Sequence, residues 1–316
     1  MSQIHIAAIL GLSLTFYGLT ACHAQNDTSQ KAKEQPKQQS SSKIPQGYQL
    51  STIAQFNEPW AITSLKDGRL LITERKGKLQ LFDPQTRQKV EVKGIPKVAY
   101  GGQGGLGDIA LHPQFAQNHQ VYISYASAGQ GGYGAVVARG ELDLSNAQQP
   151  QLKNLKTIWQ QVPKVQGQGH YGHRLLFGSD GKLWISSGER QKFDPAQDMQ
   201  SNLGKILRLN DDGTPASGNP FMTQGEIAQQ VWSLGHRNPL GIAFDHKAQL
   251  WVAEMGPKGG DELNIVVKGE NYGYPFVSNG DHYDGKDIPD HKTRPEFKAP
   301  EISWSPVISP SSLMFY

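Results

Sequence analysis

Four short stretches of this 316-residue chain concentrate residue types that do chemistry. Gly102-Gln103-Gly-Gly-Leu-Gly107 matches the G-x-G-x-x-G pattern of dinucleotide sites letter for letter. Such a site requires the motif to follow a strand and open a helix. Here Asp108-Ile-Ala-Leu-His-Pro113 follows, which alternates like a strand and carries a helix-interrupting proline. The glycines therefore read as a tight turn that presents Gln103, whose amide can donate and accept at once. His170 and His173 stand three residues apart. An imidazole titrates near neutrality and suits a general base. A lone His-x-x-His without further ligands is a weak metal signal, and His173 has no evident task. Arg237-Asn238 brings a permanent cation beside an amide, a pair suited to stabilising oxyanion character. In the fourth stretch, Glu254–Pro275, Gly256-Pro257 by itself reads as a turn and Glu262 as a solvated acid.

These stretches must be positioned by a fold, and the fold is legible as a repeat. An apolar strand, a turn that is often Asp-Gly, and an alternating strand ending in Ser, Thr or Glu recur along the chain. Copies begin near residues 62, 109, 175 and 242. Asp67-Gly68 and Asp180-Gly181 supply the positive φ of tight hairpins. Further strands, Gly77–Phe82 and Gly204–Leu209, close their units. A period of roughly 50–65 residues suits β-propeller blades with decorated loops better than a β-sandwich. Asp194 is expected to cap a short helix with Pro195 in the first helical position.

Composition agrees. Gly 35 and Pro 19 mean many turns. A net charge of +3 gives no footprint for nucleic acid. One cysteine excludes an intramolecular disulfide framework and any multi-Cys metal site. That cysteine, Cys22, ends an apolar stretch from Ile6 to Ala21, too short for a comfortable membrane span. Residues 1–22 read as a signal peptide, and Leu19-Thr-Ala-Cys22 resembles a lipobox. Residues 23–43 are polar and lack aromatic and branched aliphatic side chains, as a flexible tether would. The folded part is then 44–316. The chain is expected in the bacterial periplasm or cell envelope, touching membrane only through a lipid anchor.

Taken in order, Gly102–Phe115, Gly169-His-Tyr-Gly-His-Arg-Leu-Leu-Phe177, Leu234-Gly-His-Arg-Asn-Pro-Leu-Gly-Ile-Ala-Phe244 and Glu254–Pro275 resemble the soluble PQQ-dependent aldose sugar dehydrogenases of the glucose/sorbosone dehydrogenase family. The resemblance spans residues 48–316. It implies an all-β, six-bladed propeller that binds pyrroloquinoline quinone (PQQ) and Ca²⁺ on one face. It implies oxidation of the C1 hydroxyl of an aldose to a lactone, with electrons leaving to a separate acceptor. His170 matches the catalytic base. Arg237 and Asn238 match the pair beside the reactive quinone carbonyl. Gln103 matches a residue bonding sugar or quinone, and Tyr283 approaches the sugar. The Gly256 and Pro257 carbonyls match the Ca²⁺ ligands beside the quinone. Glu262 and the Tyr272 carbonyl match a second, structural Ca²⁺ site. Gly169 stands where the glucose-specific branch has an aspartate, which favours the broader aldose branch. Six blades need more chain than 44–316 supplies, so the propeller is expected to be C-terminally truncated, with Trp304–Tyr316 opening a further blade. The competing readings are a Ca²⁺-dependent lactonase, for which no acidic cluster in the required order is seen, and a non-catalytic envelope binding propeller.

Overall fold

A computed structural model describes residues 49–316. The signal-peptide, lipobox and tether readings fall outside the described residues. From Pro59 onward the chain lays down four four-stranded antiparallel sheets, each from consecutive sequence. The first contains β1 (Pro59–Ser64), β2 (Leu70–Glu74), β3 (Lys78–Phe82) and β4 (Lys89–Val92). The second contains β5 (Leu106–Leu111), β6 (Gln120–Gly129), β7 (Gly132–Asp143) and β8 (Gln151–Gln160). The third contains β9 (Gly172–Phe177), β10 (Leu183–Ser187), β11 (Lys205–Leu209) and β12 (Val231–Leu234). In the fourth, β13 (Pro239–Phe244) and β14 (Leu250–Glu254) precede a two-residue β15 (Lys258–Gly259) that leaves the sheet. β16 (Asp261–Ile265) returns to it, β17 (Gly280–Asp281) pairs with β15, and β18 (Ile302–Trp304) forms the outer edge.

These sheets are propeller blades. β1, β5, β9 and β13 are each the first strand of a blade, and each packs against the next in the series. The four sequence copies coincide with the four first hairpins. The Asp-Gly turns behave as expected, with Gly68 at φ 88° and Gly181 at φ 72°.

Successive blades are joined by apolar seams. Val121 and Ile123 of β6 face Leu71, Leu79 and Leu81 of the first blade, whereas Tyr122 and Ala126 face Leu183, Ile185 and Leu207 of the third. Trp184 of β10 then turns to Ile242 and Val252 of the fourth. Alternate side chains thus enter opposite seams, which is why the middle strands read as almost continuous apolar runs. Each such buried Leu or Ile contributes roughly 1.5–3 kcal/mol.

Two expectations are corrected. The element at Asp194 is a single 3₁₀ turn, Asp194–Ala196, in which Asp194 is the first helical residue and Phe193 the cap. A turn this short offers only its own few amides, and no side chain caps it. Trp304 ends the outer strand of the fourth blade and so is not part of a further one, and from Ser305 to Tyr316 no strand is assigned, although Ser312 and Leu313 lie against Gly241 of β13. That segment is instead held by Asp261, whose Oδ2 accepts the Ile308 and Ser309 N–H groups at 2.7 and 2.6 Å.

Candidate active site

The chemistry-bearing residues stand at equivalent places in successive blades. Gln103, His170 and Arg237-Asn238 lie in the segments that lead into β5, β9 and β13. In all four blades the pairing of the first two strands is irregular near this end. Bulges bend a strand and re-aim its side chains, and they gather beside active sites. The G-x-G-x-x-G stretch is a turn running into β5, as expected, and no helix follows it.

His170 is buried, with 6% of its surface exposed, and holds a left-handed φ of 48°. Its Nδ1 pairs with Oε1 of the fully buried Glu189. A carboxylate accepts only, so the proton sits on Nδ1 and the Nε2 lone pair is left for the cleft. Glu189 is fixed in turn, because its Oε2 accepts the Lys192 and Phe193 N–H groups at 2.5 and 2.8 Å. Burial lowers the pKa of His170; the Glu189 bond opposes this, and the positive charges of Arg237 and Arg190 add to the lowering, so the net shift is downward. Burial raises the Glu189 carboxyl, but the His170 bond and charge and the backbone donors outweigh it and leave it low. The pair is therefore a neutral imidazole beside a carboxylate, the form a general base needs at neutral pH.

Gln103 has an unforeseen engagement: its Oε1 accepts the His170 backbone N–H at 2.7 Å. On the other side the His170 carbonyl accepts from Arg190 N–H at 3.2 Å. It also lies so close to Gly188 that a Cβ there would fall 2.1 Å from the oxygen. The base is thus clamped through its own backbone.

Arg237 is anchored by Nη1 to the Met255 carbonyl (2.9 Å) and by its backbone N–H to Glu254 Oε2 (2.7 Å). Its Nε and the Asn238 Nδ2 are buried donors without partners among the described residues. Buried polar groups are normally satisfied. Two adjacent orphan donors beside a base mark a place built for a ligand oxygen.

A cleft runs past His170 and Arg237. One lobe, of about 220 Å³, is lined by His170, Glu189, Phe193, Arg237, Tyr274 and His282, among others. A wider lobe, of about 560 Å³, is lined by Gln103, Met255, Gly256 and Asp281 among others. His170, Arg237, Pro257 and Tyr283 border both. Tyr283 is 74% exposed, and its ring centre lies 6.0 Å from the Arg237 guanidinium.

All four expected Ca²⁺ ligands border one small cavity of about 10 Å³. Gly256, Pro257, Glu262 and Tyr272 share it with Glu254. The Gly256 and Pro257 carbonyls accept no hydrogen bond within the described residues. Burial, then Glu254 and Asp261, drive the Glu262 carboxyl well above its usual range. Asn264 Oδ1 nearby is buried and unpaired. Free carbonyls and a carboxyl that resists ionisation without a countercharge suit a hard cation. The Tyr272 carbonyl accepts from His291 Nε2 at 3.0 Å, and His291 Nδ1 lies 3.9 Å from Glu262 Oε1.

His173 is brought to none of this. Its ring stacks on Trp60 with centroids 4.9 Å apart, and its Nδ1 lies 2.9 Å from Ser124 Oγ. Complete burial, then Arg174 and Arg190, hold its pKa down at about 3. It is a neutral packing residue. Glu189 and Arg190 are the functional residues not singled out from the sequence. The signal for Glu189 was the acid that closes the repeat: Glu74 and Glu254 end β2 and β14, Glu189 lies two residues past β10, and all three bind backbone N–H groups of their own blade's loops.

The glucose/sorbosone dehydrogenase family matches residues 56–316, nearly the whole of the described chain. The chain belongs to that family. This glucose/sorbosone dehydrogenase homologue is 37% identical over 268 residues to Aldose sugar dehydrogenase YliI of Escherichia coli, covering 83% of this chain and 71% of that one. It is 30% identical over 258 residues to Quinoprotein glucose dehydrogenase B of Acinetobacter calcoaceticus, covering 72% of this chain and 52% of the relative. Among solved structures, the PQQ-bound form of Aldose Sugar Dehydrogenase from Streptomyces coelicolor superposes with a TM-score of 0.71 at 35% identity, over 83% of this chain and 73% of that one.

Proposed function

We propose that this chain carries the catalytic face of a PQQ- and Ca²⁺-dependent dehydrogenase that oxidises aldoses at C1 to lactones. The observation that carries the proposal is the meeting, on one cleft, of a neutral buried imidazole and the Arg237 side chain, whose Nε has no partner among the described residues. The family membership supplies the reaction class. PQQ, when bound, supplies the hydride acceptor. His170 Nε2 accepts the proton of the sugar C1 hydroxyl, while Nδ1–H stays on Glu189 and spreads the incipient charge onto that carboxylate. Arg237 and Asn238 donate to oxygen held in the cleft, where a water-poor setting strengthens them. The Gly256 and Pro257 carbonyls would hold the Ca²⁺ at the quinone, and Glu262 and Tyr272 a structural one. Tyr283 and the free Gln103 amide nitrogen face the sugar. Electrons leave to a separate acceptor.

Dye reduction with aldoses, after reconstitution with PQQ and Ca²⁺, tests this. Activity should require both additions, and His170→Ala should cost roughly 10²–10⁴-fold in kcat. A folded chain that leaves the quinone spectrum unchanged and oxidises no aldose would overturn it.

Two wider readings belong to the same proposal. The complete domain has six blades, of which four are seen here. The protein is an envelope lipoprotein anchored through Cys22; a wild type that takes up no lipid label in growing cells would sink that reading, and Cys22→Ala should abolish the label.

A further inference from the structure

Arg190 has no surface exposed, and its guanidinium meets no carboxylate among the described residues. A buried, unpaired cation is costly, and such groups are kept when their donors are fully used. Arg190 Nε donates to the Gly169 carbonyl at 2.8 Å, Nη2 to Gly167 at 2.7 Å and Nη1 to Tyr133 at 2.8 Å. Its guanidinium carbon lies 3.8 Å from the centre of the Tyr171 ring. These partners are the two residues flanking His170 in sequence, one residue two further back, and one fixed point on β7 of the preceding blade. The backbone of Arg190 also donates to the His170 carbonyl. Arg190 and Gln191 hold left-handed φ values of 63° and 59°, a conformation that non-glycine residues keep only when their surroundings impose it.

We propose that Arg190 is the positioning residue of the base: its guanidinium ties the Gly167–Gly169 segment to the second blade, and so sets the placement of the His170 imidazole. Glu189 holds that imidazole at Nδ1, and Arg190 holds the backbone that carries it. Two consecutive residues thus constrain the base from its ring and from its root. The fork geometry matters, because the three carbonyls are reached by three different nitrogens of one planar guanidinium, a spread that the single nitrogen of an ammonium does not reproduce. The cation also adds to the forces that keep His170 unprotonated, alongside Arg237 and against Glu189. Tyr274, His282, Tyr283 and Asp284 on one lobe, and Lys258, Asp261 and Asp281 on the other, are the further titratable groups of the cleft.

The test uses Arg190→Lys and Arg190→Met in the full chain. His170 is titrated by NMR in the protein without cofactor, and amide exchange is followed from Gly167 to Tyr171. Both variants should speed exchange in that segment while leaving the blades protected. The His170 midpoint should rise in Arg190→Met, where a like charge is removed, and stay near wild type in Arg190→Lys. The kinetic arm rests on the proposed dehydrogenase reading. There, both variants should lose roughly 10–100-fold in kcat, the scale of a small misplacement, with KM changing far less. An inactive wild type would sink that reading and leave the exchange and titration arms to decide this one. Segment exchange and His170 titration unchanged in both variants would overturn the inference. Global unfolding of both would also overturn it, since Arg190 would then support the propeller and not the base.

Discussion

Glu189 and His170 form a pair whose two members shift each other's protonation, so a substitution that keeps shape and removes charge reads the coupling directly. Glu189→Gln can still occupy the same site, but it no longer stabilises positive charge on the imidazole. Because Glu189 raises the His170 pKa against burial, its loss lowers that pKa further. The acid limb of the pH–rate profile should therefore move to lower pH, and kcat should fall roughly 10–100-fold as stabilisation of the protonated base is lost. Arg190→Met should move the same limb upward, so the two neighbours are expected to act with opposite sign. His173 gives a residue-scale prediction about stability. Its folded pKa is about 3 against an ordinary 6.5. At pH values between these the unfolded chain binds a proton that the folded one refuses, so stability falls as pH is lowered through this window. The slope approaches ~1.4 kcal/mol per pH unit. Urea denaturation from pH 7 to pH 4 should show that slope in the wild type and a shallower one in His173→Asn; identical slopes would remove His173 as its source.

At the scale of elements, the sites depend on how closely the strands approach. Gly107 lies in β5 with the His173 ring against it: a Cβ there would stand 2.0 Å from the imidazole Cε1. Neither partner has room to yield, since His173 is held by Trp60 and Ser124. Gly107→Ala should therefore destabilise by about 1–3 kcal/mol, measured as a lower urea midpoint with an unchanged m-value. Much of this scale was readable beforehand. The repeat placed all four first hairpins, and the Asp-Gly turns were found where positive φ was expected. The blade-end acids were also visible as a pattern, although their task was not. What could not be read was contact between distant segments. The engagement of Gln103 with the His170 backbone joins residues 67 positions apart, and no local propensity reports it. The same holds for the Arg190 fork. At Asp194 the local signals were real but yielded a single 3₁₀ turn, with Asp194 inside it rather than capping it. His173 had no evident task in the sequence, and only its burial against Trp60 shows that it packs.

For the whole molecule, the open question is what the fourth blade gains from a cation. Gly256, Pro257 and Glu262 come from the fourth blade, Gly235 at the end of the third blade lines the same cavity, and the Tyr272 N–H bonds the Leu234 carbonyl at 2.9 Å, so binding there joins β14 and β16 to the Tyr272 loop and to the end of β12. The cavity they share lies next to Glu254, whose carboxylate also holds His236 (2.9 Å) and the Arg237 N–H. Occupation of the cavity is therefore expected to stabilise the blade and fix Arg237 together. A ligand that binds the native state and not the unfolded one adds RT ln(1 + [L]/Kd), about 2.7 kcal/mol at one hundred times Kd. Thermal unfolding of the cofactor-free chain should consequently rise with Ca²⁺ and fall back with a chelator, before any quinone is added. Glu262→Gln removes the only charged ligand among the four and should abolish most of the rise, while Tyr283→Phe, at the exposed rim of the cleft, should leave it intact. A Ca²⁺ response unchanged in Glu262→Gln would place the ion elsewhere. No Ca²⁺ response in the wild type would remove the structural role of the cation while leaving the quinone assay to judge the catalytic one.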